Sequence, residues 1–265
     1  MKQSIRFFFH QAIAYWNYRR HAKTRYAVHS PFVFHFMENV LRNHTDYPEY
    51  ERLKIYRKSL IKNNNYLEIK DLGSGSIVFS GNRRKIGRMA RASGSSLKEQ
   101  RLLFRLANYF NPHNILELGT HLGQSTMALA LGAPEGKIIS LEGAPALIRF
   151  TRKKLKEAGI RNVRIIEGNF DDLLPELSKE QTFDLVYIDG NHSKTPTLHY
   201  VELIKNRLNP SGFIVLDDIH WNKEMEKAWE EIIRDPVFHV TIDLFCCGLA
   251  FLRSEQQKEH FILKF

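Results

Sequence analysis

Residues 114–131 predict an α/β protein built on a mostly parallel sheet. The run Asn114-Ile-Leu-Glu-Leu-Gly-Thr-His-Leu-Gly-Gln-Ser-Thr126 reads as a strand, a tight turn and the start of a helix. Ile115, Leu116 and Leu118 are the kind of strand that is buried on both faces. Gly119 permits a turn closed to residues with a Cβ, and Gly123 lets a ligand or the strand come close. Two further observations agree. Short apolar runs alternate with helix-like stretches from there onward, and carboxylates stand at the ends of those runs, where open α/β sheets bind ligands.

Taken from the start, Ile5, Phe8, Phe9, Ala12, Ile13 and Trp16 recur at helical spacing over residues 2–20, with Lys2, Arg6, Arg19 and Arg20 on or near the other face. This predicts an amphipathic helix whose apolar stripe packs on the domain or a second subunit, or lies in a membrane surface. Ser30-Pro31 opens a helix to about Leu41, with Ser30 as cap, and Pro48 opens a charged helix to about Ile61. Asp71-Leu-Gly-Ser-Gly-Ser76 looks like a ligand-binding turn, but no strong buried strand precedes it and no acid-ended strand follows, so it reads as a surface loop. Arg83, Arg84, Lys85, Arg88 and Arg91 then predict a basic helix face. Ser95-Ser96 and the amphipathic segment 97–110 lead into the strand at Ile115. Residues 1–94 are expected to form a basic helical extension, acting as a substrate lid or an oligomer contact, and 95–265 the main domain.

Beyond the turn, 127–131 is a helix ending at Gly132, and Lys137-Ile-Ile-Ser-Leu141 is a strand ending in Glu142, twenty-five residues after Glu117. A helix over 145–158 stops at Gly159, and 163–166 is a third strand before Gly168-Asn-Phe-Asp171. Phe183–Ile188 is a fourth strand ending at Asp189-Gly-Asn-His192, and 212–216 a fifth ending at Asp217-Asp218. Segments 237–244 and 248–253 flank Phe245-Cys-Cys247 as an antiparallel hairpin.

Of the 265 residues, 43% are hydrophobic, enough for a substantial core. No apolar window reaches the length of a membrane span, and Ile5-Arg-Phe-Phe-Phe-His10 is too short for a signal peptide, so a cytoplasmic protein is expected. Cys246 and Cys247 are the only cysteines, too few for a disulfide framework. The net charge of +10 is lopsided: residues 1–110 hold 21 Lys and Arg against 7 Asp and Glu, the remainder 18 against 22. The basic part suits an acidic partner: nucleic acid, an anionic membrane surface or an anionic substrate. Its aromatics sit at helical spacing rather than on a stacking sheet, which weakens the nucleic-acid reading.

A dinucleotide turn needs three glycines so that the backbone can approach a pyrophosphate. Here Gly119 and Gly123 enclose the bulky Thr120, His121 and Leu122. A ligand without phosphate, such as S-adenosylmethionine (SAM), fits better, and Glu142 is placed to accept its two ribose hydroxyls. An ordinary glycine turn between strand and helix is the alternative. On the turn and this acid, the chain from about 95 to 253 resembles a Rossmann-like class I SAM-dependent methyltransferase, similar to the catechol and caffeoyl-CoA O-methyltransferases. The resemblance implies a seven-stranded, mostly parallel sheet whose last strand is antiparallel.

It also implies roles for particular residues. Glu117, Gly119, Thr120, Gly123, Ser125, Glu142, Gly143 and Asp189 would hold SAM, with Ser95, Ser96 and Gln100 nearby. Asn169, Phe170 and Asp171 match the adenine-holding positions, although Phe170 equally reads as core and Asp171 or Asp172 as a helix cap. Asp189, Asp217 and Asp218 stand where the metal-dependent branch binds Mg²⁺, with Asp218 replacing the family's Asn. His192 takes the place of a catalytic lysine and, with Asp189, is the catalytic candidate. His220 and Trp221 would line the pocket of a small-molecule acceptor, and a homodimer is a further expectation.

Overall fold

The computed structural model describes residues 2–69, 81–92 and 94–265, with side chains except at 2–6 and 178–180. The expected loop at 71–81 lies almost wholly outside the described residues. The chain divides into two compact units, residues 42–176 and residues 1–41 with 177–265.

In the unit 42–176, the helix α3 (Pro48–Ile61) begins with proline at its first turn, where a missing N–H costs nothing. After β1 (Tyr66–Glu68) comes β2 (Arg83–Lys85), paired with it antiparallel. This corrects the basic helix face expected over 83–91. Arg83 lays its guanidinium over the Tyr66 ring at 4.7 Å and Arg84 is buried, so only α4 (Ile86–Ala92) is helical. The helix α5 (Leu97–Phe110) carries a full capping box between Ser96 and Glu99 and ends in a left-handed Asn111. Then β3 (Asn114–Leu118), α6 (Gln124–Gly132), β4 (Lys137–Glu142), α7 (Pro145–Glu157), β5 (Val163–Glu167) and α8 (Phe170–Glu180) follow in turn. The parallel order is β3-β4-β5.

In the other unit, α1 (Lys2–His21) and α2 (Pro31–Phe36), capped by the Ser30 side chain, precede β6 (Phe183–Ile188), α9 (Lys194–Lys205), β7 (Leu208–Asp217) and α10 (Lys223–Arg234). A single π-helical turn over residues 37–41 extends α2. The chain ends through β8 (Val240–Asp243), β9 (Cys247–Phe251) and β10 (Glu259–Ile262). The strands here are ordered β10-β8-β9-β7-β6. β9 alone runs antiparallel to its neighbours β7 and β8, and β10 is parallel to β8. From β3 to β9 the chain therefore has the seven expected strands with the last one antiparallel, and β10 is an addition at the edge. Phe213, Phe251, Val215 and Leu249 are fully buried where β7 and β9 pair. Among the described residues, no helix is long and apolar enough to cross a membrane.

Candidate active site

Within 42–176 the turn after β3 is shaped by two glycines. Gly119 has φ 99° and Gly123 φ 73°, both in the left-handed region. At Gly123 a Cβ would stand 2.7 Å from Thr151 Cγ2 and 2.9 Å from Tyr56 Oη. What comes close is therefore side chains of α7 and α3. Tyr56 donates to the Leu122 carbonyl at 2.9 Å and Thr151 to that of His121 at 2.7 Å, so the turn's carbonyls are tied down. The Gly119 N–H donates back to Leu141 of β4.

Glu142, at the end of β4, accepts the His121 N–H on Oε2 and the Ala144 N–H on Oε1, each at 2.9 Å. Burial raises its pKa, and these amides with that of Gly143 act against the rise. Glu117, from the middle of β3, is fully buried. Its Oε2 accepts from Thr126 at 2.6 Å and Ser140 at 2.5 Å. Burial lifts its pKa to about 7 against the pull of the Ser140, Thr126 and Ser125 hydroxyls. Its Oε1 is buried without a hydrogen-bond partner. Thr120 is buried too, its hydroxyl 2.5 Å from that of Ser140. Burial, and then the charge of Arg84, hold the His121 imidazole down at about 4.

Ser96 is occupied as the cap of α5, while the Ser95 carbonyl accepts from Gln100 at 2.8 Å and Gln124 at 3.4 Å. The Oε1 atoms of both glutamines are buried and unpartnered. At the start of α8, Asn169 is the cap: its side chain accepts from Asp171 N–H and its carbonyl from Leu173 N–H. Asp171 and Asp172 lie exposed in the first turn and Phe170 is half-buried.

In the other unit, Asp189 follows β6, and the chain passes through a left-handed Asn191 (φ 55°) to His192. His192 Nε2 is 3.9 Å from Asp218 Oδ2, and its ring is 5.6 Å from that of Trp221. Burial lowers the His192 pKa. Asp218 is itself left-handed (φ 52°), its N–H held by the Cys246 carbonyl at 2.8 Å. Asp189, Asp217 and Asp218 are the residues expected at a Mg²⁺ site; among the described residues no group of three His, Cys, Asp or Glu is placed to hold a metal ion.

His220, expected to line the acceptor pocket, is clamped. Its Nε2 lies 2.9 Å from Asp243 Oδ2 and its Nδ1 3.2 Å from Glu226 Oε1, and its ring stacks on Phe245. Burial lowers its pKa, but the hydrogen bonds and charges of Asp243 and Glu226 outweigh that and hold it at about 9. Neither this clamp nor the hydroxyl set on Glu117 was foreseen. Ser140 and Thr126 do leave a trace, as polar residues inside otherwise apolar segments, whereas the clamp reaches from His220 to Asp243, twenty-three residues away.

Residues 116–219 match the family model of a methyltransferase domain. That stretch thus resembles a methyltransferase domain, and the fold is one shared with solved methyltransferases. Catechol O-methyltransferases are among the curated proteins to which it is similar. It is 34% identical over 128 residues to a catechol O-methyltransferase of Niastella koreensis, covering 47% of this chain and 57% of the relative. With a catechol O-methyltransferase of Mycobacterium tuberculosis it shares 32% over 126 residues, 47% of this chain and 56% of the relative. The chain spans just over half the length of these curated relatives. The solved structure of the SAH-bound Podospora anserina methyltransferase PaMTH1 superposes with a TM-score of 0.58 at 20% identity, over 88% of this chain and 97% of that one.

Proposed function

We propose that this protein is a SAM-dependent O-methyltransferase acting on a small hydroxylated acceptor. The observation that carries the reading is the Glu142 carboxylate, oriented by turn amides at the end of β4 inside the stretch that matches a methyltransferase domain. Each of its oxygens keeps lone-pair capacity for a ribose hydroxyl. The buried Oε1 atoms of Glu117, Gln100 and Gln124 lack donors, and such acceptors would suit the ammonium of SAM. When bound, SAM supplies a methyl group already activated by its sulfonium.

The chain's own task is to orient an acceptor oxygen and remove its proton. His192 takes that proton. Its lowered pKa keeps the imidazole neutral and able to accept, and the Asp218 carboxylate 3.9 Å away favours the imidazolium that results. The names of the catechol O-methyltransferase relatives suggest a hydroxylated aromatic acceptor. Asp189, Asp217 and Asp218 have the hard oxygen donors that Mg²⁺ prefers, but they do not make a three-donor cluster, so no step is assigned to a metal.

The test is methyl transfer from SAM to a panel of hydroxylated aromatics, with Mg²⁺ and with chelator. Transfer that survives chelation supports His192 as the base. Transfer that is lost in chelator and restored by Mg²⁺ assigns proton removal to a metal, and no transfer to any acceptor, with SAM unbound, refutes the reading.

A further inference from the structure

The helix α1 is attached by one side and presents the other. On the attached side, Gln11 Nε2 donates to the carbonyls of His220 at 2.6 Å and Trp221 at 3.1 Å. The Phe7 ring meets Trp221 edge-on at 4.5 Å, and Ala14 is buried. Tyr18, also buried, donates to the Leu263 carbonyl and accepts the Phe265 N–H. These contacts fix the rotation of the helix and leave the stripe seen in the sequence pointing away. Phe8, Phe9, Ile13 and Trp16 are 68%, 67%, 58% and 60% exposed. They share one face, at the i, i+4 and i, i+8 spacings of a helix. A surface helix ordinarily turns its apolar stripe inward, so this one is inverted. Among the described residues, half of the exposed large apolar side chains belong to this helix.

Charge selects the occupant. The first acidic residue of the chain is Glu38, and α1 contains Lys2, Arg6, Arg19 and Arg20 with no carboxylate. The Arg20 guanidinium sits over the Trp16 ring at 4.6 Å, pairing an aromatic with a cation at the end of the stripe. A second copy packed stripe to stripe would oppose two acid-free basic helices. Nucleic acid would meet the charge, but its bases stack on aromatics set out on an open sheet or groove, not on a helical stripe that includes Ile13. A bilayer rich in anionic lipid meets both, with phosphates for the arginines and acyl chains for the stripe.

We propose that α1 is an interfacial helix that seats this protein on an anionic lipid surface, the stripe of Phe8, Phe9, Ile13 and Trp16 entering the headgroup boundary. The helix lies on the membrane, because it is not apolar enough to cross it. The proposal is independent of the catalytic reading and survives its failure.

The test is flotation of the full chain with vesicles of phosphatidylcholine, alone or mixed with phosphatidylglycerol. The protein should float with the anionic vesicles, more weakly as salt rises, with a blue shift of tryptophan fluorescence that Trp16→Phe removes. The double variant Phe9→Asp, Ile13→Asp should weaken binding by on the order of a hundredfold, since two buried apolar side chains are lost. Arg19→Glu with Arg20→Glu should weaken it on the order of tenfold or more and remove the preference for anionic lipid. All four residues are exposed, so thermal melting should not change. The idea is overturned if the wild type ignores anionic vesicles, if it binds both kinds equally, or if it elutes as a dimer that Ile13→Asp separates while no vesicle binding occurs.

Discussion

Replacing Glu117 with Gln should change the pH dependence of stability in a defined direction. The carboxyl is fully buried and its pKa rises from 4.5 to about 7, burial being the main cause. For an acid so displaced, the stabilising protonated form is complete below pH 4.5, and its contribution is lost as pH climbs through 7. At roughly 1.4 kcal/mol per pH unit, the full loss is about 3 kcal/mol. His121 works the other way, because its pKa is held down at about 4, so its contribution is present above 6.5 and lost as pH falls toward 4. The two slopes oppose each other between pH 4.5 and 6.5, so these two contributions mask each other in the wild-type curve. The informative quantity is the stability of the wild type minus that of Glu117→Gln, from urea unfolding without cofactor at pH 4.5 to 8. Gln cannot ionise, so its slope lacks the glutamate contribution. The difference should move by about 3 kcal/mol in favour of Gln across that range, on top of a constant offset for an amide N–H that finds no acceptor where Oε1 now lies. A difference that stays flat, or that moves in favour of the wild type with rising pH, would refute the assignment of Glu117 as a protonated buried acid.

Other outcomes follow from the same geometry. In calorimetry, Glu142→Ala should bind SAM more weakly by about 1 to 3 kcal/mol, since two hydrogen bonds to a charged acceptor disappear, and unchanged affinity would remove Glu142 from the cofactor site. If the unpartnered Oε1 of Glu117 takes the ammonium of SAM, wild-type affinity should climb as pH passes about 7, and Glu117→Gln should be flat. His192→Ala should retain SAM affinity and lose about 100-fold in turnover, the common scale for one general base, and a rate unchanged within twofold would exclude that role. His220, held at about 9, contributes stability that is complete below 6.5 and lost as pH rises through 9, so unfolding of His220→Gln should show no such alkaline decline.

The sequence by itself determined the elements and the first half of the candidate site. Apolar runs bounded by glycine and proline placed β3, β4, β6, α3 and α5 nearly to the residue, because such signals are local: a strand must be apolar to be buried, and Pro48 and Ser96 act within one turn of themselves. Glu117 and Glu142 stand out in the sequence for the same reason, as carboxylates within or ending apolar runs beside the glycine turn. Arg83–Lys85 misled, since a run of cations reads as a solvated helix until Tyr66–Glu68, fifteen or more residues earlier, supplies a partner strand. Tertiary structure alone decided which groups meet. It set Asp218 beside His192, locked His220 between Asp243 and Glu226, and turned the apolar stripe of α1 outward by binding its other face through Gln11 and Tyr18. Periodicity reports that a helix has two faces, but the choice of the face that is buried depends on backbone carbonyls more than two hundred residues away along the chain.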